Sequence, residues 1–149
     1  MSTTPAGYSG RPLAQKLAIK AGHVVCVLDA PAGFVEHGLG PLPADVRLHA
    51  TLVAAADVVL TFRTERARLE ADREPVTRTI FPAGAWWVCW PKRASKVPTD
   101  VTEDVVREIA LPHGLVDTKV CAVDATWSGL RLVVRRERRG GTVEDLLSG

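Results

Sequence analysis

The stretch that decides the fold is VDTKVCAVDATWSGLRLVVR, residues 116–135. Residues 116–123 and 130–135 are strand-like apolar runs, and residues 124–129 between them end in the turn-forming pair Ser128-Gly129. Two strands joined by so short a turn pair in opposite directions. The sequence therefore predicts a sheet that is closed by an antiparallel hairpin.

Four earlier segments, 23–29, 46–50, 57–62 and 85–90, are also predicted strands. The first (HVVCVLD) and the third (DVVLTF) are continuous apolar runs, which are typical of strands covered on both faces in a parallel sheet. In 85–90, Trp86 and Trp90 alternate with Trp87 and Cys89, so large apolar groups face both ways. This strand is predicted to be central.

Helices are predicted between these strands. A loose N-terminus leads into a short helix that Ser9 or Gly10 could cap, and a charged helix spans 64–80, where Pro75 breaks it or starts a second piece. Asp100 opens the clearest helix, because Glu103 follows at the spacing of a capping box. The core-facing residues of that helix are Val101, Val105 and Ile109.

Strands that alternate with helices predict a mostly parallel sheet with helices on its faces. Together with the hairpin, this is the pattern of class I methyltransferases: a single three-layer, Rossmann-like α/β domain. We expect the strand order 2-1-3-4-6-5, with only the last strand antiparallel, in a domain over 11–137 between a flexible N-terminus (1–10) and a flexible tail (138–149). One feature opposes this order: only residues 51–56 link the second and third strands, whereas a parallel crossover usually needs about a dozen residues.

Composition argues against a highly basic nucleic-acid-binding protein and against a membrane-spanning protein. The chain has 149 residues and a net charge of +2, so it is not a polycation, and no apolar run is long enough to span a membrane. The N-terminus lacks a basic and then apolar signal segment, which predicts a cytoplasmic location. The cysteines Cys26, Cys89 and Cys121 lie in apolar runs without zinc or redox spacing, so they are expected to be reduced core thiols.

Several stretches carry a resemblance to a known family. Leu17-Ala18-Ile19-Lys20, Trp90-Pro91-Lys92 and, above all, the closing strand WSGLRLV at 127–133 resemble the bacterial family designated domain of unknown function 3052. The resemblance covers most of the chain. It implies a methyltransferase-like Rossmann fold, and it implies no activity and no catalytic residue.

The loop after the first strand is where such folds hold a nucleotide or S-adenosylmethionine. That site requires several glycines for close backbone approach, whereas this chain has Asp29-Ala30-Pro31-Ala32-Gly33-Phe34. An acid for ribose hydroxyls is expected at the end of the second strand, where the chain has His49. The sequence names no cofactor, and tight binding of S-adenosylmethionine is not expected.

A basic loop follows the predicted central strand. Lys92, Arg93 and Lys96 stand at the carboxyl end of that strand, where open α/β sheets bind ligands. The N-terminus of the helix that Asp100 opens is expected to add hydrogen-bond donors. We predict that a small anionic ligand, if one binds, lies between this loop and residues 29–34, with Asp29, Ala30, Pro31 and Gly33 as the opposite wall; a solvated loop is the alternative.

Other candidate sites are weak. Residues 131–139 contain five arginines, but no aromatic residues are interleaved for base stacking, so nucleic-acid binding is disfavoured. No histidine has a ligand partner at metal spacing, and no serine lies in a nucleophile elbow, so no metal and no catalytic residue is predicted. We favour a non-catalytic binding or regulatory module on a degraded methyltransferase-like scaffold. A divergent S-adenosylmethionine-dependent methyltransferase and a weak nucleic-acid binder remain the alternatives.

Overall fold

Six strands form one sheet in the computed structural model of the protein, which describes residues 11–148. The strands are β1 (Val24–Leu28), β2 (Arg47–His49), β3 (Val58–Phe62), β4 (Ala85–Pro91), β5 (Leu115–Ala122) and β6 (Trp127–Val134). Their order across the sheet is β2-β1-β3-β4-β6-β5, which confirms the predicted order. Among these strands, β6 alone runs antiparallel to its neighbours, also as predicted.

The central strand is β4, which is buried along its whole length between β3 and β6. Trp86 and Trp87 face opposite sides of the sheet and are both fully buried. Each buried indole N–H has an acceptor: Trp86 Nε1 donates to Thr61 Oγ1 (2.9 Å) and Trp87 Nε1 to the carbonyl of Leu17 (3.1 Å). The prediction of a central strand with apolar groups on both faces is confirmed.

Helices cover both faces of the sheet and complete the three layers. They are α1 (Leu13–Lys16), α2 (Arg66–Ile80), α3 (Glu103–Ala110) and α4 (Val143–Ser148), with a π-helical turn at Phe34–Gly38 and 3₁₀ turns at Arg93–Ser95, Leu111–His113 and Arg136–Arg138. On one face, α2, α3 and α4 bury Leu69, Ile109 and Leu146 in one apolar cluster. On the other face, Leu17 and Phe34 are buried beside α1 in a second cluster.

The link between β2 and β3 is as short as the sequence suggested, and the fold accommodates it because β2 is short. A strand of three residues spans about 10 Å, so the chain has little distance to recover. Leu52 and Val53 pack against the apolar cluster of the α2 face, and Ala56 N–H donates to the carbonyl of Thr79 (3.0 Å). The crossover is therefore an extended segment instead of a helix.

Helix α2 continues through Pro75, so the prediction that this proline breaks the helix or starts a new one is wrong. A proline removes one backbone hydrogen bond and crowds the carbonyl four residues before it. Here both Pro75 and Ala71 are exposed, so water can reach the carbonyl that the proline leaves without its usual partner. In the following turn, Thr77 Oγ1 donates to the carbonyl of Arg73 (2.6 Å).

The prediction that Asp100 caps the following helix is also wrong. Helix α3 starts at Glu103, and its N-cap is Thr102, whose side chain accepts a hydrogen bond from Val105 N (3.2 Å). The Asp100 carboxylate instead accepts a hydrogen bond from Arg66 N (2.6 Å), at the first residue of α2. Asp100 therefore satisfies a free N–H of a different helix, one that no local spacing could indicate.

The end of the described chain forms helix α4. Thr142 Oγ1 accepts from Asp145 N (3.1 Å), and Leu146 is 1% exposed against Gly114, where an added Cβ would lie 2.1 Å from Leu146 Cδ1. Glu144 pairs with Arg78 on α2 (2.8 Å). This anchored helix lies within the expected flexible tail over 138–149; the mobility of that tail stays a prediction.

Within residues 11–148, no helix combines the length and the apolar character that crossing a membrane would require.

Candidate functional site

The carboxyl edge of the sheet carries two residues that the sequence singled out, Asp29 and Lys92, and one that it did not, Arg63. Asp29 follows β1, Arg63 follows β3 and Lys92 follows β4. The chain leaves β1 toward the face of α1 and leaves β3 toward the face of α2, so the two connections diverge between these neighbouring strands. Open α/β sheets bind ligands in the crevice at such a point.

The side chain of Arg63 lies across this crevice. Its guanidinium is 6% exposed and bonds Asp72 of α2 through two hydrogen bonds, from Nε to Oδ2 (2.6 Å) and from Nη2 to Oδ1 (3.0 Å). Its Nη1 donates to Asp29 Oδ2 at the end of β1. The hydrogen bonds that Arg63 donates to Asp72 raise the pKa of Arg63 and outweigh the opposing effect of burial. Arg63 is thus a charged bridge between the two walls of the crevice.

The loop after β1 closes on itself. Asp29 has a left-handed backbone (φ +57°), and its carboxylate, 61% exposed, also lies 3.4 Å from Arg68 Nη2. Phe34 N–H donates to the carbonyl of Pro31 (3.1 Å), and His37 N–H donates to that of Gly33 (2.9 Å). Ala30 packs on the apolar cluster of the α1 face. The backbone donors at Phe34 and His37 are therefore engaged within the loop itself.

Three aromatic rings connect this loop to the other end of the edge. Phe34 meets Phe62 edge to face, with centroids 4.9 Å apart, and Phe62 meets Trp127 in the same way at 5.2 Å. Trp127 is half-buried and opposite Pro91 in the register of β4 and β6. Trp127 therefore joins the closing hairpin to β3 through its contact with Phe62.

The basic loop stands beside these rings. Lys92 N–H donates to the carbonyl of Thr126 (2.7 Å), and the loop turns through Lys96 with a left-handed backbone (φ +61°). Lys92 is half-buried, whereas Arg93 and Lys96 are exposed. Within residues 11–148, none of these three cations forms an ion pair.

The helix N-terminus that was expected to assist this loop does not do so. Thr102 already occupies one donor of α3, and Glu103 and Asp104 place two negative charges in its first turn. Those carboxylates oppose an anion at this helix end. The positive charge beside the crevice therefore comes from the side chains of Lys92, Arg93 and Lys96 and not from this helix end.

The structure brings the two predicted loops to one edge, but it inserts Arg63 between them. The loops follow β1 and β4, which are separated by β3, so their strand ends lie about 10 Å apart. The sequence analysis missed Arg63 and Asp72. One signal was present: Asp72 lies three residues after the buried Leu69 on a helix that packs on the sheet. A carboxylate on a buried helix face is costly unless it is paired, so a cation is expected beside it.

Among residues 11–148, no cluster of three or more His, Cys, Asp or Glu side chains could hold a metal ion. His49 ends β2 and is exposed, so the position of the expected ribose-binding acid carries an imidazole.

Comparison with known proteins identifies the fold. No protein-family model and no curated protein matches the sequence, so the resemblance to the family of unknown function 3052 is not confirmed. Solved structures do match. A SAM dependent methyltransferase from Aquifex aeolicus has 14% identity and a TM-score of 0.55, over 80% of this chain and 87% of that one. The fold is that of class I methyltransferases.

Two further structures agree. The fibrillarin pre-rRNA processing protein of Methanococcus jannaschii has 12% identity and a TM-score of 0.54, covering 78% of this chain and 68% of that one. The ribosomal protein L11 methylase of Lactobacillus delbrueckii subsp. bulgaricus has 8% identity and a TM-score of 0.54, covering 83% and 75%. At such identities the likeness establishes the fold alone.

The residues at the crevice do not fit S-adenosylmethionine well, the cofactor on which the Aquifex aeolicus methyltransferase depends. A bound nucleoside requires close approach to the backbone after β1, where Pro31 has no N–H to donate and the N–H groups of Phe34 and His37 are bonded within the loop. Arg63 spans the space between Asp29 and α2, and the end of β2 offers no acid. We therefore derive no reaction step through S-adenosylmethionine.

Proposed function

We propose that this chain is a non-catalytic binding module on a methyltransferase-like fold, which takes a small anionic ligand at the carboxyl edge of its sheet. The observation that carries the proposal is the bridge of Arg63 to Asp29 and Asp72. It fills the crevice in which the fold would otherwise hold a cofactor. A cytoplasmic location, with the cysteines as reduced thiols, belongs to the same proposal.

The charge of the edge supports an anion as the ligand. Arg63 and Arg68 are balanced by Asp29 and Asp72, which leaves this cluster neutral. The Lys92–Lys96 loop beside it contributes three positive charges that no described carboxylate neutralises. Charge-assisted hydrogen bonds from lysine and arginine are the usual means of holding phosphate.

The second candidate is a divergent S-adenosylmethionine-dependent methyltransferase, which the solved structures of the same fold favour. Asp29 is the residue that would serve it, since its carboxylate is 61% exposed and reachable from solvent. This candidate requires Arg63 to leave the crevice and so to give up its bonds to the nearly buried Asp72.

Nucleic-acid binding through the C-terminal arginines gains less support. Arg138 donates to the carbonyl of Asp145 (3.2 Å) and Arg139 to that of Val134 (2.8 Å). Guanidinium groups that are tied to the protein backbone have fewer donors left for phosphates.

The test is a titration with ATP at two salt concentrations. The double variant Lys92→Ala/Lys96→Ala removes two charges from the basic loop, and Lys119→Ala/Arg136→Ala is the matched control, because it removes two exposed charges elsewhere. We expect the first variant to weaken binding about tenfold or more, the control to leave it nearly unchanged, and higher salt to weaken it in the wild type. Equal affinity of both variants, with the fold intact by circular dichroism, would refute the proposal.

A further inference from the structure

A second cleft lies at the opposite edge of the sheet, where β1, β3 and β4 begin. Its volume is about 220 Å³, and it opens on the α1 face beside Leu17. Its polar lining consists of Lys20, His23, Asp57 and Arg131. The proposed ligand loops stand at the other ends of the same strands, so this cleft is a separate feature of the molecule.

The guanidinium of Arg131 is only partly satisfied in this cleft. Arg131 lies on β6 and donates from Nη1 to Thr118 Oγ1 (3.2 Å), but its Nε is buried with no hydrogen-bond partner in the described structure. It forms no ion pair within residues 11–148. Burial and the nearby charge of Arg139 both lower the pKa of Arg131. A desolvated cation next to another cation is unfavourable, and an anion would relieve it.

Two further donors line the same space. Lys20 N–H donates to His23 Nδ1 (3.1 Å), so the neutral imidazole carries its proton on Nε2. Among residues 11–148 no acceptor is bonded to that Nε2–H, so it can donate to a ligand. The ammonium of Lys20, which is exposed, supplies a mobile charge. The cleft is thus lined by three side chains that can donate N–H hydrogen bonds: Arg131, His23 and Lys20.

Asp57 limits what the cleft can hold. Its Oδ2 accepts a hydrogen bond from Val24 N (2.8 Å), which fixes the carboxylate at the start of β1. Lys20 and Arg131 together carry two positive charges against this single negative charge, so the cleft has a net charge of +1 when His23 is neutral. An anion of one or two charges is the ligand that such a cleft attracts.

We infer that this cleft is a binding site for a phosphate group, held by Arg131, Lys20 and His23. The oxygens of a phosphate can accept hydrogen bonds from all three side chains that line the cleft, and a volume near 220 Å³ is sufficient for a small anion. Free phosphate and a nucleoside monophosphate share this chemistry. The site is independent of the function proposed for the carboxyl edge.

The experiment is a nitrogen-15 NMR titration with inorganic phosphate and, separately, AMP. Two indole groups act as reporters: Trp87 Nε1–H is bonded to the carbonyl of Leu17 at the cleft, whereas Trp127 belongs to the carboxyl edge. We expect both probes to shift the Trp87 indole signal. Equal affinities would identify phosphate itself as the ligand, and a tighter AMP complex would identify a nucleotide.

Three variants test the assignment, because two of them should weaken phosphate binding and one should strengthen it. Arg131→Gln should weaken binding at the Trp87 reporter about tenfold or more, and Lys20→Ala should weaken it severalfold. Asp57→Asn should strengthen it, because a like charge is removed while an oxygen remains to accept from Val24 N. Lys20 and Asp57 are exposed, so these two variants decide the matter even if Arg131→Gln unfolds.

Lys92→Ala/Lys96→Ala is the matched control, and it should leave the Trp87 response unchanged. A response confined to Trp127 would overturn this inference while supporting the proposal for the carboxyl edge. A Trp87 response that Lys20→Ala and Asp57→Asn leave unchanged would also overturn it, and silence of both reporters would overturn both proposals.

Discussion

The bridge of Arg63 makes a quantitative prediction for the variant Arg63→Met. Methionine keeps much of the side-chain volume but removes the charge, so the carboxylate of Asp72, 12% exposed, is left unpaired. Breaking a buried ion pair by removing one partner costs about 3–5 kcal/mol. The bond to Asp29 adds at most about 1 kcal/mol, because that carboxylate is 61% exposed and well solvated.

We therefore expect the free energy of unfolding to fall by about 4 kcal/mol. For a chain of this size, each kcal/mol lowers the melting temperature by about 2–4 °C, so the fall should be about 8–16 °C. Urea unfolding followed by tryptophan fluorescence measures the first quantity and a thermal melt the second.

Two further variants distinguish how much the bond to Asp29 and the bond to Asp72 each contribute to stability. Asp29→Asn should cost no more than about 1 kcal/mol, and the double variant Arg63→Met/Asp72→Leu should recover most of the loss, because no buried charge is left unpaired. A loss below about 1 kcal/mol for Arg63→Met, or equal losses for Arg63→Met and Asp29→Asn, would refute the buried bridge.

Further predictions concern the rest of the fold. Leu146→Ala should lower the free energy of unfolding by about 2–4 kcal/mol in urea titrations, whereas a tail without packing would show no change. Burial raises the pKa of the thiols of Cys89 and Cys121, so at pH 8 Cys89 should stay unmodified by a thiol reagent and Cys121 should react slowly, with rapid modification only after unfolding. Burial and Arg73 lower the pKa of His113 below 6.5, so the unfolded chain binds its proton more readily; stability should fall as the pH drops below about 6.5, and His113→Gln should reduce that slope in urea titrations.

The sheet could be predicted from the sequence because its signals are local. Continuous apolar runs mark β1 and β3, tryptophans on both faces mark β4, and Ser128-Gly129 marks the hairpin. Side-chain burial on two faces dictates that these strands lie inside a parallel sheet. The position of the short strand β2 beside β1 was also predicted, even though the segment that connects β2 to β3 contains no helix.

The site could be predicted only in part, because its decisive contacts are distant in sequence. Asp29 and Arg63 are 34 residues apart, and so are Arg66 and Asp100. The low glycine content predicts that the loop after β1 departs from a cofactor-binding loop, but no spacing rule indicates which cation lies between this loop and α2. The Asp100 capping pattern misled for the same reason, since the carboxylate serves a helix that is close only in three dimensions.

The most direct test of the central claim is the thermal stability of the wild-type protein in 1 mM S-adenosylmethionine. A cofactor with a dissociation constant of about 10 μM would stabilise the native state by about 2.7 kcal/mol at that concentration and raise the melting temperature by about 5–11 °C. We predict a shift of less than about 1 °C, because Arg63 occupies the crevice between Asp29 and Asp72. A rise of 5 °C or more, about what a 10 μM site gives, would contradict the account and favour the divergent methyltransferase.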